Sequence, residues 1–200
     1  MVELAIATKN VGKIKELGEL LENLPLKLRS LNDFPNTFEP KETGATFVEN
    51  AILKAKSYAE QTRSWALADD SGLEVEALNN APGIFSARYA GETATDKERI
   101  EKLLKELNGT QNRAARFVCA MAIANETGKI KFIAEGICSG KIALAATGAN
   151  GFGYDPIFIP DGFSATFGEL SGDIKQQISH RARATMKIIQ YLRGIYAALS

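Results

Sequence analysis

An extended apolar run, VELAIA (2–7), gives way within a few residues to helical spacing, and this junction constrains the fold more than any other stretch of the chain. From Gly12 onward Ile14, Leu17, Leu20, Leu21 and Leu24 recur at helical intervals, Pro25 closes the helix, and LKLRSL (26–31) reads as a second short strand. NDFPNTFEPKETG (32–44) is a loop punctuated by Pro, Asn and Gly. Thr46 and Glu49 form a capping box that opens a helix through about Arg63. WALA (65–68) is a short strand running into DDSG, LEVEAL (73–78) continues extended, and NNAPG is a turn.

Thr95 and Glu98 make a second capping box, for a helix ending near Leu107 with Gly109 as its C-terminal cap. ARFVCAMAIA (115–124), the turn NETGK and IKFIAEGICSG give strand, turn, strand. KIALAA reads as a third strand before GANGFGYDPIFIP (148–160). From about Ser179, Met186, Ile189, Leu192 and Tyr196 are spaced for a last helix. No repeat, low-complexity segment or linker interrupts the chain, so residues 1–200 are expected to form one α/β domain with a mixed sheet.

Composition narrows the partners. Lys plus Arg and Asp plus Glu balance at 24 each, so no global field recruits nucleic acid or an anionic membrane, and any phosphate recognition must be local. No apolar stretch approaches the ~20 residues of a membrane span, and no basic region followed by a long apolar one opens the chain. Cys119 and Cys138 both fall in strand-like apolar runs and read as buried reduced thiols rather than a disulfide or metal site. A cytoplasmic protein is expected.

Four segments carry residues suited to chemistry. In ATKNVGKIKE (7–16), Ala7 and Ile14 stand where a Walker A loop needs Gly and Ser or Thr. A strand leading into a helix still presents free backbone N–H groups and the positive end of a helix dipole, with Thr8, Asn10 and Lys13 beside them. A solvated turn with a surface lysine is the plainer reading. In ALADDSGLEV (66–75), adjacent carboxylates on an extended chain point to different sides, so Asp69 and Asp70 are expected to differ in role. One can face a metal beside a polyphosphate while the other braces the loop; simple turn capping is the alternative. In GANGFGYDPIFIP, Phe152, Gly153, Tyr154 and Asp155 put rings and a carboxylate on a glycine-loosened loop able to stack on a nucleobase, or else form a hairpin whose aromatics return to the core. SHRAR (179–183) holds the only histidine, beside Arg181 at a helix start. Glu49 is explained by its cap, whereas Glu42 is not.

Six segments in order, ATKNVGKIKEL, ETGATFVENAILKA, ADDSGLEV, APGIFSARYAG, GFGYDPIF and ISHRARA, resemble the inosine triphosphate pyrophosphatase family over nearly the whole chain. The resemblance implies a two-lobed α/β fold around a long mixed sheet flanked by helices, an active site in the central cleft, and a homodimer. It implies hydrolysis of dITP, ITP and XTP to monophosphates. It places the triphosphate on Thr8, Lys9, Asn10, Val11, Gly12 and Lys13, and Mg²⁺ on Glu42 and Asp70, with Asp70 also the general base. Ser71 falls at a substrate contact, Phe152, Gly153, Tyr154 and Asp155 in the base-binding loop, and Lys175 ahead of His180 and Arg181, which close on the base. Lys9 departs from the small residue common at its position, which leaves open a phosphate contact or a solvent-facing side chain. The septum-inhibition type of nucleotide pyrophosphatase, a triphosphatase releasing orthophosphate and a non-catalytic nucleotide or RNA-binding module are the competing readings.

Overall fold

The computed structural model describes residues 3–199; Val2 and the side chain of Tyr196 lie outside the described residues. Strand β1 (Glu3–Ile6) pairs in parallel with β2 (Lys27–Ser30) on one side and with β3 (Trp65–Val75) on the other. Helix α1 (Val11–Leu21) connects β1 to β2, and its first turn is capped by Asn10, whose Oδ1 accepts the Lys13 N–H at 3.1 Å. Helix α2 (Phe47–Thr62) begins at Thr46 as expected, with Thr46 Oγ1 accepting the Glu49 N–H. The reciprocal half of that capping box is absent. Glu49 Oε2 reaches one residue further back and accepts from the Ala45 N–H at 2.6 Å.

WALA, DDSG and LEV form one strand, β3, which runs straight through Asp69, Asp70, Ser71 and Gly72, but the extended stretch ends at Val75 and Glu76–Leu78 form a short 3-10 turn instead. Helix α3 (Asp96–Glu106) carries the complete Thr95–Glu98 box. Strands β4 (Ala114–Ala124) and β5 (Ile130–Ile142) are joined by the Asn125–Lys129 turn. KIALAA is not a separate strand: β5 absorbs Lys141 and Ile142, and the remaining alanines are irregular. The partner of that end of β5 is β6 (Phe158–Pro160), antiparallel to it with Gly140 opposite Pro160. A Cβ at Gly140 would strike the Ile159 carbonyl, so the missing side chain permits this pairing. Short helix α4 (Gly172–Ile178), capped by Ser171, precedes the long α5 (His180–Leu199).

The sheet order is β2-β1-β3-β4-β5-β6, parallel at one edge and antiparallel at the other, which makes the expected mixed α/β architecture. The chain forms two compact units. The first holds residues up to Asp70, Cys119–Gly136 and the chain from Arg181 on. Its core joins Leu4 and Ile6 of β1, Leu17 and Leu21 of α1, Met121 of β4 and Ile188 of α5. The second holds Ser71–Val118 and Ile137–His180, around Leu73, Leu103, Phe117, Phe158 and Phe167. Cys119 and Cys138 are both buried free thiols. Among the described residues no helix is long and apolar enough to cross a membrane.

Candidate active site

In the first unit the turn after β1 is shaped by its own side chains. Thr8 Oγ1 accepts the Asn10 N–H at 3.2 Å, and Asn10 in turn caps α1. Lys9 and Val11 are exposed, while Lys13 turns inward from the first helical turn. Its ammonium lies 2.8 Å from Asp69 Oδ1 and keeps 15% of its side-chain surface accessible.

Asp69 and Asp70 have separate partners, as alternation along β3 requires. Asp69 is wholly buried and meets Lys13 through Oδ1; its Oδ2 accepts from Arg181 Nε and Nη2, both at 3.2 Å. Burial pushes its carboxyl up, but Lys13, Arg181 and Lys54 together outweigh that and hold it far below the usual carboxylate range. Asp70 Oδ1 lies 2.7 Å from Lys54 Nζ, and Asn50 Nδ2 donates to its Oδ2 at 3.3 Å. Here burial prevails over the Lys54 charge and the carboxyl is raised.

Lys54 Nζ also meets Glu42 Oε1 at 2.9 Å, so one cationic atom sits between the two carboxylates assigned to a metal by the motifs. Asn50 closes the arrangement: its Oδ1 accepts the Gly44 N–H at 2.8 Å, tying the loop that carries Glu42 to the residue that touches Asp70. A Cβ at Gly44 would come within 2.7 Å of that oxygen, which explains the glycine. Among the described residues no three His, Cys, Asp or Glu side chains gather as a metal cage. Two convergent carboxylates are nonetheless the donor set Mg²⁺ commonly takes, with water and substrate phosphates completing its shell.

The second unit holds the remaining residues. Asp155 is buried, and its Oδ2 accepts the Phe152 N–H at 2.8 Å and lies 2.5 Å from Lys175 Nζ. The same ammonium stands 4.7 Å above the Phe152 ring. Gly153 has φ +61° and donates its N–H to Asp96 Oδ2 at 2.7 Å, so a left-handed residue makes the bend. Tyr154 turns into the core, its hydroxyl donating to the Ser86 carbonyl at 2.9 Å. His180 is buried and stacks on Phe117, with centroids 4.7 Å apart. Ser71 is half-buried on β3.

Residues 4–191 match the model of the Ham1 family. The chain belongs to the Ham1 family. A dITP/XTP pyrophosphatase of Bacillus anthracis is 49% identical over 94% of this chain and 95% of its own length. One from a Nostoc species is 49% identical over 98% and 96%. A HAM1 protein from Coxiella burnetii superposes with a TM-score of 0.89 at 45% identity, covering 97% of this chain and all of the other.

Within this Ham1 chain the site assignments left out residues that the quoted motifs contain and the fold makes central. Lys54 and Asn50 are the chief ones, and both are buried on α2. Their signal was present: they lie four apart on the stripe that also carries Phe47, Ala51 and Tyr58, and a lysine and an asparagine at core positions need partners. Glu16 was missed as well. It receives Arg181 Nη1 at 2.5 Å, a contact spanning most of the chain, and no local pattern announces it.

Proposed function

We propose that this chain hydrolyses dITP, ITP and XTP to the monophosphate and pyrophosphate, as one catalytic domain over residues 1–200 in a cytoplasmic homodimer that uses Mg²⁺. The observation that carries the reading is the convergence of Glu42 and Asp70 on a single cationic atom, beside Lys13 at a helix N-terminus. The names of relatives 49% identical over nearly the whole chain support the substrate class. Lys13, Lys54 and Arg181 face Glu16, Glu42, Asp69 and Asp70, which leaves a negative excess in this cluster. A triphosphate needs added positive charge to settle there. Mg²⁺ bound by Glu42 and Asp70 supplies that charge and Lewis acidity toward water and phosphoryl oxygen.

The chain's own residues do the rest. Backbone N–H groups at the start of α1 and the Lys13 ammonium bind phosphate oxygens. Asp70 accepts a proton from the attacking water as it bonds to the α-phosphorus; the bond from that phosphorus to the bridging oxygen breaks, and pyrophosphate leaves with its electron pair. Lys54, bonded to both carboxylates, holds Glu42 and Asp70 toward one another, the two residues that would hold the metal.

For the base, Phe152 stacks, and donors are required toward O6 of hypoxanthine or xanthine. His180 and Arg181, with Lys175 ahead of them, are assigned to that edge, and Arg181 gives three of its five N–H groups to Asp69 and Glu16. Asp155 holds Lys175 and the Phe152 amide in place and is the acceptor assigned to N1. Adenine, with a donor at position 6 and a bare N1, leaves such groups mismatched, and buried hydrogen-bonding sites discriminate by up to ~10⁴-fold.

Turnover of ITP, dITP, XTP, GTP, ATP and dTTP with Mg²⁺ tests the reading, with pyrophosphate and orthophosphate measured separately. Pyrophosphate from the hypoxanthine and xanthine substrates is expected. Orthophosphate as first product, a preference for dTTP, or binding without turnover would each point to one of the competing readings.

A further inference from the structure

We infer that Asp69 is a positioning residue that holds Lys13 ready for phosphate, through a closed ring of ion pairs in the first unit. The inference rests on the triphosphate reading above and adds a role for the carboxylate that the metal and base assignments leave unused. The ring runs from Lys13 to Asp69 Oδ1 at 2.8 Å, from Asp69 Oδ2 to Arg181 at 3.2 Å, and from Arg181 Nη1 to Glu16 Oε2 at 2.5 Å. Glu16 lies three residues after Lys13 on α1, so the ring closes on the helix it started from. It thereby pins the first turn of α1 to β3 and α5.

An ammonium has three N–H donors, and Asp69 Oδ1 holds it as an ion pair on one side. The Lys13 side chain remains partly accessible, so its other donors can still reach a ligand. A free lysine on a four-carbon stem would lose rotamer freedom when it grips phosphate; here that ordering is complete beforehand. Buried ion pairs add little stability over an apolar cluster of the same shape, so stability alone does not account for placing this one against the phosphate-loop lysine.

A double-mutant cycle on Asp69→Asn and Lys13→Ala separates positioning from a purely structural role. We expect Asp69→Asn to lower kcat/KM for ITP by roughly tenfold or more, the scale of a misplaced group, and to cost less than about threefold when Lys13 is already alanine. An equal loss in both backgrounds overturns the inference. The cycle read on inorganic tripolyphosphate binding by calorimetry does not need turnover. Weaker binding in Asp69→Asn supports positioning, whereas tighter binding, as from a lysine merely freed of neutralisation, overturns it. Where Asp69→Asn does not fold, Glu16→Gln at the partly exposed end of the ring serves instead: a several-fold loss that vanishes in Lys13→Ala is expected, and an additive loss or none overturns the inference. Absence of ITP hydrolysis by the unaltered protein, with the tripolyphosphate cycle still coupled, would sink the substrate reading and leave this one standing.

Discussion

At Asp70 the carboxylate meets Lys54 through one oxygen and the Asn50 amide through the other, and burial raises its affinity for a proton. At Asp69, one residue earlier, two cations hold the carboxylate ionised. Adjacent, identical side chains therefore do different work because alternation along a strand hands them to different neighbours. Asp70→Asn keeps the shape and removes the proton acceptor, so kcat for ITP should fall at least ~10²-fold at saturating Mg²⁺. Near-native turnover in steady-state kinetics would strip Asp70 of that role. Gly44 makes a second prediction at this scale. Gly44→Ala drives a Cβ against Asn50 Oδ1 and Glu49 Cβ, each 2.7 Å away. A loss of roughly 1–3 kcal/mol is expected from such overpacking, read by chemical denaturation, together with lowered activity as Asn50 shifts from Asp70.

Helix starts are where the elements of this chain are most firmly written. The box on α3 is complete, with Thr95 Oγ1 accepting the Glu98 N–H at 3.3 Å and Glu98 Oε2 accepting the Thr95 N–H at 2.7 Å. Thr95→Ala should cost ~1 kcal/mol in urea denaturation near neutral pH. The backbone N–H and hydroxyl of Thr95 hold the Glu98 carboxyl below its ordinary range. A folded-state value below the unfolded one means the contribution is present above the unfolded value and lost as pH falls through the folded one. Glu98→Gln should therefore flatten the decline in stability below about pH 4, while leaving the slope above about pH 6 unchanged. An identical acid limb in the two proteins would show that the box is not coupled to protonation.

Neither compact unit is a contiguous piece of chain. The first draws β1, α1 and α2 from residues up to Asp70, but its core also needs Cys119, Met121 and Ile123 of β4 and Ala184, Ile188 and Leu192 of α5. Residues 1–70 expressed alone would leave the faces of β1 and α1 without those partners. That fragment should lack a dispersed amide NMR spectrum and bind an apolar dye. A folded, cooperative fragment would show that the missing core residues are dispensable.

Local chemistry determined what was legible from the letters. Apolar periodicity, Thr46 and Thr95 as caps, and Pro25 just beyond α1 located the helices and the strand-to-helix phosphate turn, because each signal acts within about one helical turn. Six ordered motifs located the family and most of the candidate site residues. What the letters left undecided depends on contacts between residues far apart in the chain. KIALAA looked like a strand, yet only Lys141 and Ile142 belong to β5, and the pairing ends with the Ala143 N–H on the Ile157 carbonyl because β6 is three residues long. Tyr154 looked able to face a base, yet Ser86 and the surrounding core claim it. Lys54 between two carboxylates and the ring through Glu16 and Arg181 exist only once α2, β3 and α5 are packed, since a buried charge takes its role from whichever opposite charge the fold brings within hydrogen-bonding reach.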